Sequence, residues 1–161
     1  MKVQNLYNPF VKLLLRSPLH SVIGEGVMLI QYTGKRSGKP HTVPVNYLRD
    51  GDVLWTISQR ERVWWRNLRG GARVTVLIDG QEAQGMGDVI ADDESVAASL
   101  MDYLRKVPQL AKYIGVRLDP AGTPAADDVT RAARCRVMVR IELAADGAEA
   151  CARPEGIGRR V

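Results

Sequence analysis

Cysteine and histidine are scarce, because the 161-residue chain has only two of each. Cys135 and Cys151 lack metal-ligand spacing and form no Cys-x-x-Cys pair. With only His20 and His41 beside them, a His/Cys metal centre and a cysteine nucleophile are both disfavoured. We therefore expect no metal site, and we interpret the cysteines as incidental thiols in a reducing compartment.

Long apolar runs are also missing. No stretch reaches the roughly 20 apolar residues that cross a bilayer, and the short apolar run near the start is interrupted by Lys12 and Arg16, unlike a secretory signal. Residues 5–16 instead show helical periodicity, with Leu6 and Phe10 on one face. This amphipathic helix either packs on the core or touches a membrane surface. We expect a cytoplasmic protein, with contact at the inner face of the plasma membrane as an alternative.

Basic residues outnumber acidic ones, 23 to 18, which gives a net charge of +5 and a pI of about 9.5. This balance suits acidic partners such as phosphorylated cofactors, nucleic acid or anionic lipid. The cations are scattered, and the aromatic and basic platform typical of nucleic-acid-binding domains is missing. We therefore expect no nucleic-acid partner.

Strand patterns dominate the rest of the chain. Runs rich in β-branched and aromatic residues predict strands at 26–33, 41–49, 53–57, 73–78, 81–90 and 135–143. Helical patterns, beside the one at 5–16, occur at 63–68, 92–106, 109–114 and 127–133. Gly85 and Gly87 predict a bulge or sharp bend in their strand. This inventory favours a mainly β fold with flanking helices, an antiparallel barrel of about six strands in one domain over residues 1–144, followed by a flexible tail at 145–161.

A basic loop joins the first two predicted strands. Residues 33–42 read TGKRSGKPHT, in which Gly34 and Gly38 bracket Lys35, Arg36 and Ser37, and Lys39 follows directly. Glycine permits a tight turn and the close approach of a ligand. Cations, hydroxyls and exposed amides together suit an anion, above all a phosphate. The alternative is a basic hairpin turn that only keeps a sheet soluble.

A second basic stretch, residues 58–68, reads SQRERVWWRNL. The start of its predicted helix and its arginines would form a second anion site. Adjacent residues on a helix point roughly 100° apart, so we expect one tryptophan in the core and the other at a cleft. The two stretches together predict a cleft for a planar ligand that carries a phosphate.

These two stretches resemble a known family. The run LIQYTGKRSGKPHTVPVNYLRDGDVLWTIS, followed by WWRNLRGGARVTV, is similar to the deazaflavin-dependent nitroreductase family, whose members bind coenzyme F420. The resemblance implies a split β-barrel related to FMN-binding barrels, with the cofactor in a groove on the barrel. The segment between Ser58 and Trp64 is shorter than in many members and lacks their lysine, so Arg60 or Arg62 would take its place.

The resemblance also implies roles for particular residues. The implied cofactor-binding residues are Lys35, Arg36, Ser37, Gly38, His41, Pro44, Ile57, Ser58, Gln59, Arg60, Trp64, Trp65 and Asn67. The implied substrate-facing residues are Tyr103 and Tyr113.

The implied reaction is hydride transfer from the reduced deazaflavin, F420H2, to a quinone, nitro or enone-type small molecule. Because the cofactor carries this chemistry, no protein nucleophile is needed. The expected partners are a hydrophobic small-molecule substrate and, as an open alternative, a second copy of the chain. The alternative functions are a non-catalytic lipid or fatty-acyl binding protein on the same fold and a relative that binds FMN.

Overall fold

The computed structural model describes residues 26–145. Its strands are β1 (Val27–Thr33), β2 (Pro40–Asn46), β3 (Leu48–Asp50), β4 (Val53–Gln59), β5 (Ala72–Ile78), β6 (Gln81–Ile90) and β7 (Arg136–Leu143). Its helices are a first 3₁₀ helix (Trp64–Leu68), α1 (Asp93–Lys106), a second 3₁₀ helix (Pro108–Ile114) and α2 (Ala126–Ala133). The predicted class, mainly β with flanking helices, is confirmed.

The seven strands form one antiparallel sheet in the order β2-β1-β5-β6-β7-β4-β3. The sequence predicts about six strands because residues 41–49 read as one run. That run is two strands, since β2 pairs with β1 and β3 pairs with β4, at opposite edges of the sheet. Only Tyr47 separates them, so the sheet must curl until its two edges meet there. The result is a split barrel with a seam between β2 and β4, which contact each other.

Two apolar clusters lie on the two faces of the sheet. Strand side chains alternate between faces, so Val137, Val139 and Ile141 point into the barrel while Met138 packs against the helices. The 3₁₀ helix Trp64–Leu68 contributes to the barrel cluster, and α1, the second 3₁₀ helix and α2 form the other. The end of β4 therefore lies between the barrel cluster on one face of the sheet and the helical cluster on the other.

Helix α1 begins and ends where the sequence predicts. The Asp92 side chain caps it by accepting a 2.8 Å hydrogen bond from the Ser95 amide. Acidic residues occupy its first turn and basic residues its last, which complements the helix dipole. Val96, Leu100 and Tyr103 lie on its buried face. This packing brings Tyr103 to the end of β4.

The predicted bulge in β6 is wrong. The pairing of β6 with β5 and with β7 continues without interruption through Gly85 and Gly87. A Cβ at Gly85 would lie 2.9 Å from the carbonyl oxygen of Glu142 and 2.9 Å from Cγ2 of Ile141. The physical reason for this glycine is therefore the close approach of β7.

Two sequence predictions lie outside the described residues, namely the helix at 5–16 and residues 146–161 of the tail. Among residues 26–145, no helix combines the length and apolar character that a membrane crossing requires.

Candidate functional site

The basic loop and the first 3₁₀ helix form one connected unit. The Lys35 amide donates to Oδ1 of Asn67 at 2.9 Å, and Lys35 Nζ donates to the Arg69 carbonyl at 2.6 Å. Nδ2 of Asn67 donates in turn to the Trp64 carbonyl at 3.1 Å. The two stretches singled out from the sequence thus meet through Asn67.

The loop is shaped around a serine and a histidine. Oγ of Ser37 lies 3.2 Å from Nε2 of His41 and accepts a 3.2 Å hydrogen bond from the Lys39 amide. A Cβ at Gly34 would lie 2.5 Å from the same Ser37 oxygen, so a larger residue there would displace the serine side chain.

Parts of the loop remain available to a ligand. The amides of Gly34, Lys35, Gly38 and Lys39 are all paired. Within the described residues, those of Arg36 and Ser37 have no acceptor. The Arg36 and Lys39 side chains are exposed. Two free amides beside two cations fit an anion such as a phosphate.

Aromatic rings connect the loop with the end of β4. His41 stacks on Tyr32, its register partner across the first hairpin, with ring centroids 5.5 Å apart and an interplanar angle of 25°. The Tyr32 ring lies 6.4 Å from the Trp64 ring. Nε1 of Trp64 donates a buried 3.0 Å hydrogen bond to Oγ of Ser58. A row of side chains therefore connects the basic loop with Ser58.

An open cleft of about 290 Å³ begins at that serine. It lies at the seam, because its walls come from β2, the end of β4, the first 3₁₀ helix, α1 and the second 3₁₀ helix. Its lining residues are Pro44, Val45, Asn46, Ile57, Ser58, Gln59, Arg62, Trp64, Tyr103, Leu110, Tyr113, Ile114 and Arg136. Strand β3 pairs only with residues 53–55 of β4. Within the described residues, the edge of β4 that faces the cleft therefore has no strand partner beyond Trp55.

Seven of the residues predicted from the sequence line this cleft, namely Pro44, Ile57, Ser58, Gln59, Trp64, Tyr103 and Tyr113. Burial raises the pKa of Tyr103 to about 12, so its phenol stays protonated and can donate a hydrogen bond. Tyr113 is 80% exposed and lies at the rim.

Other predicted residues lie outside the cleft lining. Lys35, Arg36, Ser37, Gly38 and His41 belong to the loop, and Asn67 connects that loop to the 3₁₀ helix. Trp65 is buried and donates to the Gln59 carbonyl at 3.3 Å, with the guanidinium groups of Arg66 and Arg69 over its ring.

Arg60 lies outside the cleft lining and contacts backbone carbonyls of neighbouring elements. Its Nη2 contacts the carbonyl oxygens of Ala91, Ala133 and Arg136 at 2.9 to 3.3 Å and the carboxylate of Asp93 at 3.0 Å. These contacts hold the end of β4 to the start of α1, the end of α2 and the start of β7. Of the two arginines that could replace the missing lysine, Arg62 is the one that lines the cleft.

Several lining residues were not singled out from the sequence. Asn46, Leu110, Ile114 and Arg136 carry no local motif, and Arg136 reaches the cleft only because β7 pairs with β4. Tyr32 is predictable as a neighbour of the loop, because the register of the predicted hairpin pairs it with His41.

The fold defines the class of protein, a split β-barrel made of one antiparallel sheet. A model of the F420H(2)-dependent quinone reductase family matches residues 18–113, more than half of the 161 residues. The chain belongs to this family. The predicted resemblance to deazaflavin-dependent oxidoreductases is thereby confirmed, and the family model that matches is named for quinone reduction. No curated protein sequence matches the chain.

Solved structures share the fold at low sequence identity. A protein of unknown function from Agrobacterium tumefaciens is 18% identical, with a TM-score of 0.49, over 73% of this chain and 48% of that one. An F420 reductase is 18% identical, with a TM-score of 0.41, over 80% of this chain and 95% of that one. A chain described as a domain-swapped dimer is 15% identical, with a TM-score of 0.50, over 84% of this chain and 95% of that one.

The extent of the match differs among structures. This chain spans 48%, 58% and 62% of the length of three of the proteins that it matches. At such low identities, the structures show the fold and nothing finer.

Proposed function

We propose that this protein is an F420H2-dependent reductase that transfers a hydride to a quinone, nitro or enone-type small molecule. Membership of the F420H(2)-dependent quinone reductase family supports the class of reaction. The observation that carries the proposal is a row of packed side chains, His41, Tyr32 and Trp64, that joins the basic loop to the open edge of β4. Tyr32 and Trp64 are buried, so this row fixes the loop and the strand edge relative to each other. A ligand with a phosphate at one end and a planar ring at the other would contact both.

The residues present fit such a cofactor. The amides of Arg36 and Ser37, which have no acceptor among residues 26–145, and the exposed Arg36 and Lys39 side chains would hold its phosphate. The edge of β4 at Ile57 and Ser58, with Trp64 behind it, would hold the ring. When bound, the reduced cofactor supplies a hydride, and the chain supplies position and exclusion of water.

Tyr103 is suited to act on the acceptor. A quinone oxygen gains negative charge as the ring accepts a hydride, and a protonated phenol in the cleft stabilises that charge by donating a hydrogen bond. Burial raises the pKa of Tyr103 to about 12, which extends the range in which the phenol is protonated to more alkaline pH.

Titration of the protein with oxidised F420, followed by cofactor fluorescence, tests the proposal. We expect saturable binding at micromolar concentration and weaker binding in Arg36→Ala and Ser37→Ala. Arg73→Ala is the matched control, because Arg73 is an exposed arginine of β5 outside the loop and the cleft lining. Circular dichroism establishes that each variant is folded.

Three results would contradict the proposal. A folded protein that does not bind F420 has another function. Tight uptake of FMN with no deazaflavin binding would favour the FMN-binding alternative. Co-purifying fatty acid detected by mass spectrometry, without F420 binding, would favour the lipid-binding alternative.

A further inference from the structure

Two arginines meet at one end of the cleft, on either side of Gln59. Arg136 is the register partner of Gln59 across the β4–β7 pair. The Arg62 amide donates to the Gln59 carbonyl at 3.1 Å, which folds the chain back so that Arg62 also lines the cleft. Both arginines therefore lie at the end of β4, Arg136 on the neighbouring strand β7 and Arg62 in the turn that follows Gln59.

The charge of these arginines is not balanced within the cleft. The lining contains two arginines and no aspartate or glutamate. Within the part of the chain that the structure describes, neither Arg62 nor Arg136 forms an ion pair, whereas neighbouring Arg60 pairs with Asp93 at 3.0 Å. Guanidinium groups recognise planar oxyanions by paired hydrogen bonds.

The rest of the lining is suited to a ring rather than to a second charge. Leu110 and Ile114 form an apolar wall, and Trp64 and Tyr103 contribute aromatic side chains. A volume of about 290 Å³ is near the lower limit of the ~300–1,000 Å³ typical of small-molecule sites. A cofactor ring on the edge of β4 and an acceptor ring beside Tyr103 would therefore fill the cleft together.

We infer that the acceptor reduced by this protein carries an anionic group, a carboxylate or a sulfonate, which Arg62 and Arg136 bind while the ring lies beside Tyr103. This inference rests on the proposed function and narrows its substrate class. The cofactor's own phosphate has a separate site, the loop around Ser37, which shares no residue with the cleft lining.

The anionic group takes no part in the chemistry. The quinone ring accepts a hydride from the reduced deazaflavin and a proton from solvent, and it becomes a hydroquinone. The cofactor is oxidised by two electrons, and the carboxylate or sulfonate is unchanged. The arginines are specificity-determining residues that set the affinity for the acceptor.

A pair of acceptors with and without the charge tests the inference. The selectivity is kcat/KM for 1,4-naphthoquinone-2-sulfonate divided by kcat/KM for menadione, measured with saturating F420H2. We expect Arg62→Ala and Arg136→Ala each to lower this ratio about tenfold, because a hydrogen-bonded charge is lost. Arg136→Lys should recover part of it. Arg134→Ala, an exposed arginine two positions away and outside the lining, should leave the ratio unchanged.

A binding measurement separates this inference from the proposed function. Quenching of tryptophan fluorescence by each naphthoquinone is measured with oxidised F420 present and with no cofactor. If the protein does not bind F420 but Arg62→Ala and Arg136→Ala selectively weaken binding of the sulfonate, the proposed function is wrong and the anion site stands. If the variants keep the selectivity and instead weaken F420 binding tenfold, the arginines serve the cofactor and the inference is overturned. Equal binding of both quinones by the unaltered protein also overturns it.

Discussion

The amide of Lys35 donates to the side-chain oxygen of Asn67 at 2.9 Å, although 32 positions separate the two residues. The same asparagine donates to the Trp64 carbonyl inside the 3₁₀ helix. One short polar side chain thus connects the basic loop with the 3₁₀ helix that carries Trp64.

Asn67→Ala should destabilise the protein by about 1–2 kcal/mol, because it removes an acceptor and a donor that are both in use. It should also weaken F420 binding, because the loop is no longer tied to Trp64. Urea unfolding and the fluorescence titration measure the two effects. Asn67→Asp keeps the acceptor for Lys35 and should retain more of both; equal losses in the two variants would show that the Lys35 contact is unimportant.

Gly34→Ala should disrupt the loop itself. The added Cβ meets Ser37 Oγ at 2.5 Å and His41 Nε2 at 3.0 Å, so the serine and the histidine must separate. Gly38→Ala is the matched control, because Gly38 has a φ of +64° and open space around it, so that only a backbone strain of ~1–2 kcal/mol arises. The chain has two histidines, so NMR resolves the imidazole signal of His41. That signal should move in Gly34→Ala and stay in place in Gly38→Ala.

Arg60→Met should lower the free energy of unfolding by about 3 kcal/mol, because the charged Nη2 group, whose two hydrogens are shared among three backbone carbonyls and a carboxylate, is lost. Asp93→Asn removes only a half-exposed ion pair and should cost less than about 1 kcal/mol. Thermal or urea unfolding compares them. A cofactor affinity that falls in Arg60→Met at full stability would instead mean that Arg60 contacts the ligand.

Asp128 makes the protein sensitive to acid. Hydrogen bonds from Arg117 and Arg131 hold the pKa of this buried carboxyl well below its usual value. A lowered pKa in the folded state stabilises the protein above the ordinary pKa of ~3.9, and that stabilisation is lost as the pH falls below it. Asp128→Asn should therefore reduce stability at pH 7 and flatten its decline in acid. Exposed Asp127, on the same helix, is the control, and Asp127→Asn should leave the pH profile of unfolding unchanged.

Tyr103→Phe should lower kcat for quinone reduction by about tenfold or more while keeping the ring in the core, since only the hydroxyl is removed. Because burial raises the pKa of Tyr103 to about 12, no loss of rate from this group should occur between pH 6 and about pH 10. Steady-state rates across that range test both points. Full activity in the phenylalanine variant would remove Tyr103 from the reaction.

The sequence indicates the local parts of this protein well. The first hairpin, the Asp-Gly turn after Asp50 and the capped helix α1 all follow from residues within a few positions of one another. The loop and the WWRNL segment were recognisable for the same reason.

What could not be predicted depends on distant parts of the chain. The contacts of Arg60 could not be predicted, because its acceptors lie beside α1, α2 and β7, which no local pattern connects with it. No local pattern marks Arg136 either, because only the β4–β7 pairing brings it to Gln59. The break at Tyr47 could not be predicted, because both halves of residues 41–49 have strand character. Only their pairing partners, at opposite edges of the sheet, separate them into two strands.

That break fixes the shape of the cleft. Residues 46 and 48 belong to opposite edges of the sheet, and a chain spans at most about 3.6 Å per residue, so the edges cannot separate there. Further along the seam, no backbone segment among residues 26–145 joins the two sides of the cleft, and side chains such as Arg62 and Tyr113 form its rim. The cleft is therefore a wedge with a rigid apex and an adaptable mouth. Ligands should be selected by thickness for the part that reaches the apex, and by charge rather than size for the substituents that remain at the mouth beside Arg62.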